Sequence, residues 1–228
     1  LIVILSSFYL LFYSKISIKN ILLIFLITFI TISPYLVRNY LVFEKIIIHS
    51  SFGFNLWKGN NQNSKIEGSF IIPKTIQDKI DKIPKNKFYR FNFDEIFLNE
   101  AINNIKKDPD RYIILYLKRA TSYFFVDFES FKSKDYNPVP NVNIDILMPL
   151  LIPSYYIPVV LLGITSLIGI FLSDKKSYRL NFLIFILFFY IFVFSFFSIM
   201  PRYKLYIIPL QIIFTNIFIN YVIKKNKR

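Results

Sequence analysis

The residues best suited to chemistry in this chain are cations placed at the ends of apolar runs. Arg38 closes the run Tyr35-Leu36-Val37-Arg38-Asn39-Tyr40. Arg202 and Lys204 flank Tyr203 in the short connection Met200-Pro201-Arg202-Tyr203-Lys204. Lys118 and Arg119 interrupt the otherwise apolar stretch 112–126. A guanidinium fork matches the oxygens of a phosphate, so these residues could cradle an anionic lipid headgroup. The same residues could instead be anchors that snorkel beside interfacial tyrosines. Other chemistry finds little support. The single histidine, His49, has no second histidine and no cysteine to work with, and reads as a packed or surface side chain. There is no Walker loop and no dinucleotide fingerprint. The acidic residues between 38 and 145 stand mostly beside lysines, as on solvated helix faces. No catalytic pair, metal-ligand set or resident cofactor is legible.

Such cations must be positioned by the apolar blocks around them. The chain has 228 residues, 54% of them hydrophobic, and these cluster in long runs. Residues 21–37, 154–172 and 182–199 carry no charge, and 205–223 have only amide and hydroxyl polar groups. A bilayer core needs roughly 20 apolar residues of helix. A chain this short could not hide all four blocks in one soluble core. The expected fold is therefore an all-α polytopic membrane protein. Residues 1–13 are apolar but reach only about 20 Å as a helix, and read as a truncated span. The net charge of +14 does not point to nucleic acid, because the basic residues flank apolar blocks rather than line a groove.

The short connections sort by charge. Lys15 and Lys19, then Lys175, Lys176 and Arg179, then Lys224, Lys225, Lys227 and Arg228 fall on one side if successive helices alternate in direction. The positive-inside rule makes that side cytoplasmic. Three regions follow: 1–37 with two transmembrane helices, a long outer loop at 38–145, and 146–228 with three more helices and a basic cytoplasmic tail. Lys118 and Arg119 at the centre of 112–126 argue against a further span, since each charge costs about 2.5–3.5 kcal/mol there. That segment reads as a helix at the outer interface or packed on the bundle.

Within the outer loop two helices are expected, near 93–107 and 109–129, forming one helix–helix unit. Asn92 with Glu95 suggests the first N-cap, and Asp108-Pro109 the stop and restart. The glycine- and asparagine-rich stretch 51–70 reads as an ordered loop. The lysine-rich stretch 71–90 reads as the most mobile part.

Several of these pieces together resemble bacterial GT-C glycosyltransferases of the protein-mannosyltransferase and aminoarabinose-transferase type. Pro34-Tyr35-Leu36-Val37-Arg38-Asn39-Tyr40 is similar to their Pro-Trp-x-x-Arg-Asn-Tyr helix end, with Tyr35 in place of tryptophan. Asn55-Leu56-Trp57-Lys58-Gly59-Asn60-Asn61, followed by Gly68, resembles their Asn-Leu-x-x-Gly-Asn-Asn…Gly loop. Ala101, Ile105, Pro109 and Tyr112 resemble an Ala-x-x-x-Ile-x-x-x-Pro-x-x-Tyr segment, and Arg202-Tyr203 with Pro209 a late helix start. The resemblance runs in order from about residue 30 to the end. It implies a GT-C-like transmembrane helix bundle, with about five helices in this chain and the first truncated. It also implies inverting transfer of a sugar from a polyprenyl-phosphate donor to a glycan, lipid or protein acceptor. The reaction would occur on the outer face of the bacterial inner membrane. The acidic base of that family follows its first transmembrane helix, so it is expected upstream of residue 1. Arg38, Arg202 and Tyr203 are then the expected contacts to the carrier phosphate, with Lys118 or Arg119 next. Asn60 and Asn61 would shape the pocket. Two other readings share the membrane setting: a lipid-linked-sugar flippase or transporter, and an oligosaccharide polymerase or ligase. Paired broken helices or an inverted repeat would mark a transporter, and neither is legible.

Overall fold

Apolar runs bounded by capping residues set the first element. The computed structural model describes residues 7, 9, 17–46, 51–125, 152–198 and 201–226, except the side chains of Ile152, Tyr155, Pro201 and Arg202. His49, residues 126–151 and all but two of residues 1–13 therefore lie outside the described residues, together with the expectations that fell on them. Among the described residues every regular element is helical.

Helix α1, Ile18–Phe43, has 26 residues and begins at Ser17, whose Oγ accepts from the Asn20 N–H at 3.4 Å. At a rise of 1.5 Å per residue it is about 39 Å long. It is long and apolar enough to cross a membrane. Only Ile21 and Asn39 are buried in it, while Leu22, Leu26, Phe29, Ile30 and Leu41 are exposed. An apolar surface on all sides is what a lipid-facing helix presents. Its few polar groups are satisfied inside the helix: Thr28 and Thr31 donate to Ile24 O and Ile27 O at 2.7 and 2.8 Å. Pro34 cannot donate to Ile30 O, and the Ser33 hydroxyl donates there instead at 3.0 Å. α1 continues six residues beyond the end expected at 37. It stops at Glu44, which takes the left-handed conformation and donates its N–H to Tyr40 O at 2.8 Å.

Helices α2 (Phe52–Asn60), α3 (Lys74–Asp81) and α4 (Tyr89–Lys107) follow. Two sequence expectations are corrected here. Residues 51–70 are not all loop, because α2 forms despite Gly53 and Gly59. Its first turn is capped from α4: Asp94 accepts from the Gly53 and Phe54 N–H groups at 2.9 and 2.8 Å. The N-cap expected at Asn92 is also wrong. α4 starts four residues earlier than expected, at Tyr89, so Asn92 lies inside it. In the lysine-rich stretch, Ile76 and Ile80 put α3 on a shared core with Trp57, Phe97 and Ala101. Lys87 pairs with Glu44 at 2.7 Å, and this ion pair holds the Glu44 carboxyl below its ordinary pKa.

Helix α5 (Pro109–Ser122) begins directly after Asp108. Further on come a π-helical turn, Ile152–Tyr156, then α6 (Ile157–Leu172), α7 (Tyr178–Phe194), the single turn α8 (Pro201–Lys204) and α9 (Ile208–Asn226). α6 and α7 have 16 and 17 residues and are apolar, but shorter than a full span. Five π-helical residues precede α6 without a break. Lys224 and Lys225 end α9, where cations suit the helix dipole.

The chain divides into two compact units: residues 1–63 with 69–108, and residues 64–68 with 109–228. The division passes between Asp108 and Pro109, so α4 belongs to the first unit and α5 to the second. Their buried faces differ. α4 turns Phe97 and Ala101 onto the core of the first unit. The core of the second comprises Tyr123, Phe124, Ile170, Leu187, Ile191, Ile207 and Phe214.

Candidate functional site

In the first unit, Arg38 lies on an exposed face of α1, not at its end, and its Nη1 donates to Asn39 Oδ1 at 3.3 Å. Asn60 and Asn61 are buried, and each supports the local chain. Asn60 Nδ2 donates to Leu56 O at 2.8 Å. Asn61 Nδ2 donates to Ser69 O at 3.1 Å, and its Oδ1 accepts from the Asn63 N–H at 2.8 Å. The Ser69 N–H donates to Lys58 O at 2.9 Å, and Gly68 takes φ 85°, which favours glycine. The Asn-Asn part of the pattern is thus a device that ties Ser69 to the end of α2. Lys58, unremarked in the sequence, is 2% exposed, with its Nζ 3.9 Å from the centre of the Phe70 ring. A lysine beside glycine and asparagine looks like a surface residue, and no local pattern announces its burial.

In the second unit, adjacent residues Lys118 and Arg119 of α5 differ in burial. Lys118 is exposed. Arg119 is 1% exposed, and donates from Nε to Ile66 O at 3.0 Å and from Nη2 to Lys65 O at 2.9 Å. Arg111 Nη2 adds a bond to Ser64 O at 3.3 Å. Two guanidinium groups one α5 face apart therefore clamp the segment 64–68. Burial, and then the nearby Arg111 guanidinium, push the Arg119 pKa down to about 9, so it remains a cation at neutral pH. This arrangement makes Arg119 a structural clamp in addition to any role toward ligand.

Arg202 and Tyr203 lie on the single turn α8, between apolar helices α7 and α9. Tyr190 of α7 donates from Oη to Tyr203 O at 3.0 Å, which fixes this turn. The Tyr203 ring also lies tilted against Phe194 at 5.9 Å, and Phe194 stacks on the Tyr190 ring at 4.3 Å. Nearby, the chain leaving α5 runs into the helix pair α6 and α9. Gln211 Nε2 donates to Tyr123 O at 3.2 Å. Gly163 is required where it stands, since a Cβ there would come within 1.9 Å of Phe124 O. The Tyr123 ring meets Tyr190 edge-on at 6.0 Å. Burial first, then the Tyr190 and Tyr203 hydroxyls, push the Tyr123 phenol well above its ordinary pKa, so it stays a neutral donor.

The expected site residues are thus divided. Arg38, Asn60 and Asn61 belong to one unit, and Lys118, Arg119, Arg202 and Tyr203 to the other. Among the described residues no cluster of three His, Asp or Glu side chains gathers as a metal site would require. Comparison with protein families, curated proteins and solved structures finds no match to this chain.

Proposed function

We propose that the chain is the carrier-binding part of an integral-membrane glycosyltransferase. It would take a sugar from a polyprenyl-phosphate donor and pass it to an acceptor on the outer face of the bacterial inner membrane. The observation that carries this reading is α8. One helical turn bearing Arg202, Tyr203 and Lys204 is held between two strongly apolar helices. A polyprenyl phosphate has the same two-part character, a long apolar tail and an anionic head. The apolar sides of α7 and α9 suit the tail and the α8 cations suit the head. Arg38, the cation of the equally apolar α1, fits the same chemistry. Lys118 and Lys204 add charge, and Asn60 and Asn61 hold the chain after α2 in shape.

In inverting transfer an acceptor oxygen attacks the anomeric carbon as a base removes its proton. The bond to the carrier phosphate breaks, and negative charge grows on the departing phosphate oxygen. Fixed cations at that oxygen stabilise the transition state more than the ground state. That role is proposed for Arg202 and, separately, for Arg38; the base is not assigned to a residue of this chain. The proposal also treats α6, α7 and α9 as membrane spans, as it does α1, with the basic connections facing the cytoplasm.

The test is turnover of a polyprenyl-phosphate sugar by the full-length protein in lipid vesicles. Arg38→Ala and Arg202→Ala should each lower kcat/KM by about 100-fold, the usual scale for removing one donor from a developing anion. Unchanged kcat and KM in both variants refutes the phosphate cradle.

A further inference from the structure

Helix α9 carries the polar side chains Gln211, Thr215, Asn216 and Asn220 among its apolar residues. Gln211 and Thr215 are answered from elsewhere in the second unit. Gln211 is buried and donates to Tyr123 O at 3.2 Å. Thr215 Oγ1 lies 3.0 Å from Thr165 Oγ1 of α6. The asparagines are different. Asn220 Nδ2 donates to Asn216 Oδ1 at 3.3 Å, and both residues are exposed. Asn216 Nδ2 keeps its hydrogens and Asn220 Oδ1 its lone pairs, with no other partner among the described residues.

α9 turns about 100° per residue, so Asn216 and Asn220 lie on one side and the buried Gln211 and Phe214 on the other. Gly169 of α6 packs on that buried side, where a Cβ would come within 1.8 Å of Phe214 O. The asparagine side is completed by Ile212, Ile213, Ile219 and Ile223, all exposed. Asn216 stands near the middle of the 19-residue helix. In a span, that is the depth at which acyl chains supply neither donor nor acceptor. Polar side chains there turn to a protein partner rather than to lipid.

The face itself specifies that partner. It offers a donor and an acceptor at neighbouring positions, so it is complementary to itself. It carries no charge between Ile208 and Ile223, so two identical faces meet without repulsion although the chain's net charge is +14. Copies in one membrane share one orientation. A two-fold axis along the membrane normal then sets their α9 helices parallel, with like residues opposite. An asparagine at one level of such a seam fixes its register. We propose that the chain forms a homodimer through α9, the Asn216 amide of each copy donating across the axis to the asparagine pair of the other. This rests on the reading of α9 as a membrane span.

The experiment places Ile213→Cys on this face and Val222→Cys on a flank turned away from it, each in the cysteine-free chain. Native membranes are oxidised and scored for the disulfide-linked dimer. Ile213→Cys should link about 10-fold faster than Val222→Cys, because sulfurs bridge only where Cα atoms come within about 7 Å. Adding Asn216→Leu with Asn220→Leu should raise the dimer dissociation constant, read by dilution in lipid, about 10-fold, the scale of interhelical amide bonds in a bilayer. No linked dimer at Ile213→Cys, equal linking at both positions, or a dissociation constant unchanged by the leucines each overturns the inference. So does a linked product of another mass, which reports a different partner. A membrane-impermeant maleimide separates the inference from the reading beneath it. If Ile213→Cys is shielded from the reagent yet unlinked, α9 lies in the bilayer and only the inference fails. If Ile213→Cys is labelled from water, the membrane reading of α9 fails with it.

Discussion

Arg119 shows how a single side chain can be read in two ways and how physics separates them. Its guanidinium sits inside the second unit and holds the carbonyls of Lys65 and Ile66. Arg119→Met keeps the length of the side chain and removes the charge. The carbonyls then lose a charged donor, worth ~1.5–3 kcal/mol per bond. Against this, the desolvation of a buried cation, several kcal/mol, is relieved. The two effects oppose, so Tm should move by only a few degrees. The clamp itself should open, and trypsin should cut after Lys65 about ten times faster; an unchanged rate contradicts the clamp. The pH dependence has a definite sign. The folded pKa of about 9 lies below the ordinary guanidinium value. Above about pH 9 the folded chain has lost a proton that the unfolded chain still binds, so stability contributed by this group rises with pH. The unaltered protein should therefore gain Tm relative to Arg119→Met between about pH 8 and about pH 10.5. At this scale the sequence made the cations legible, because charge stands out in apolar runs. It could not show that Lys118 faces out while Arg119 faces in, since that depends on where residues 64–68 fold.

The helices were legible where the pattern is local. Ala101, Ile105 and the Asp108-Pro109 break mark the end of α4 and the start of α5 within the sequence itself. α2 was missed because two glycines and two asparagines in nine residues have poor helix propensity, and because its cap comes from Asp94, forty residues away in sequence. The N-cap expected at Asn92 failed for a related reason: the acidic residue that matters, Asp94, serves another helix. The α2–α4 contact can be tested at two points. At Gly53 an added Cβ would come within 2.1 Å of Asp94 O and 2.8 Å of Leu98 Cβ. Gly53→Ala should thus cost about 3 kcal/mol or more, as overpacking against backbone does. Asp94→Ala loses the cap and should cost about 1–2 kcal/mol. Chemical denaturation that ranks Asp94→Ala as the more harmful change, or finds Gly53→Ala neutral, would show that α2 and α4 are not packed this way.

For the whole molecule, composition gave the helical class and the charges gave a direction. One helix, α1, is long and apolar enough to cross a membrane. The two-unit division could not be read in advance, because residues 64–68 join the second unit from within a loop of the first, and linear sequence carries no mark of such an exchange. The function proposed above depends on the carrier-facing side being the outer side. Two exposed lysines of the second unit, Lys65 and Lys176, test this most directly. Each is replaced by cysteine in the cysteine-free chain, and intact cells are treated with a membrane-impermeant maleimide. Lys65→Cys should label in intact cells, and Lys176→Cys only after the membrane is opened. Labelling of both from outside, or of Lys176→Cys alone, would contradict an outer-face site.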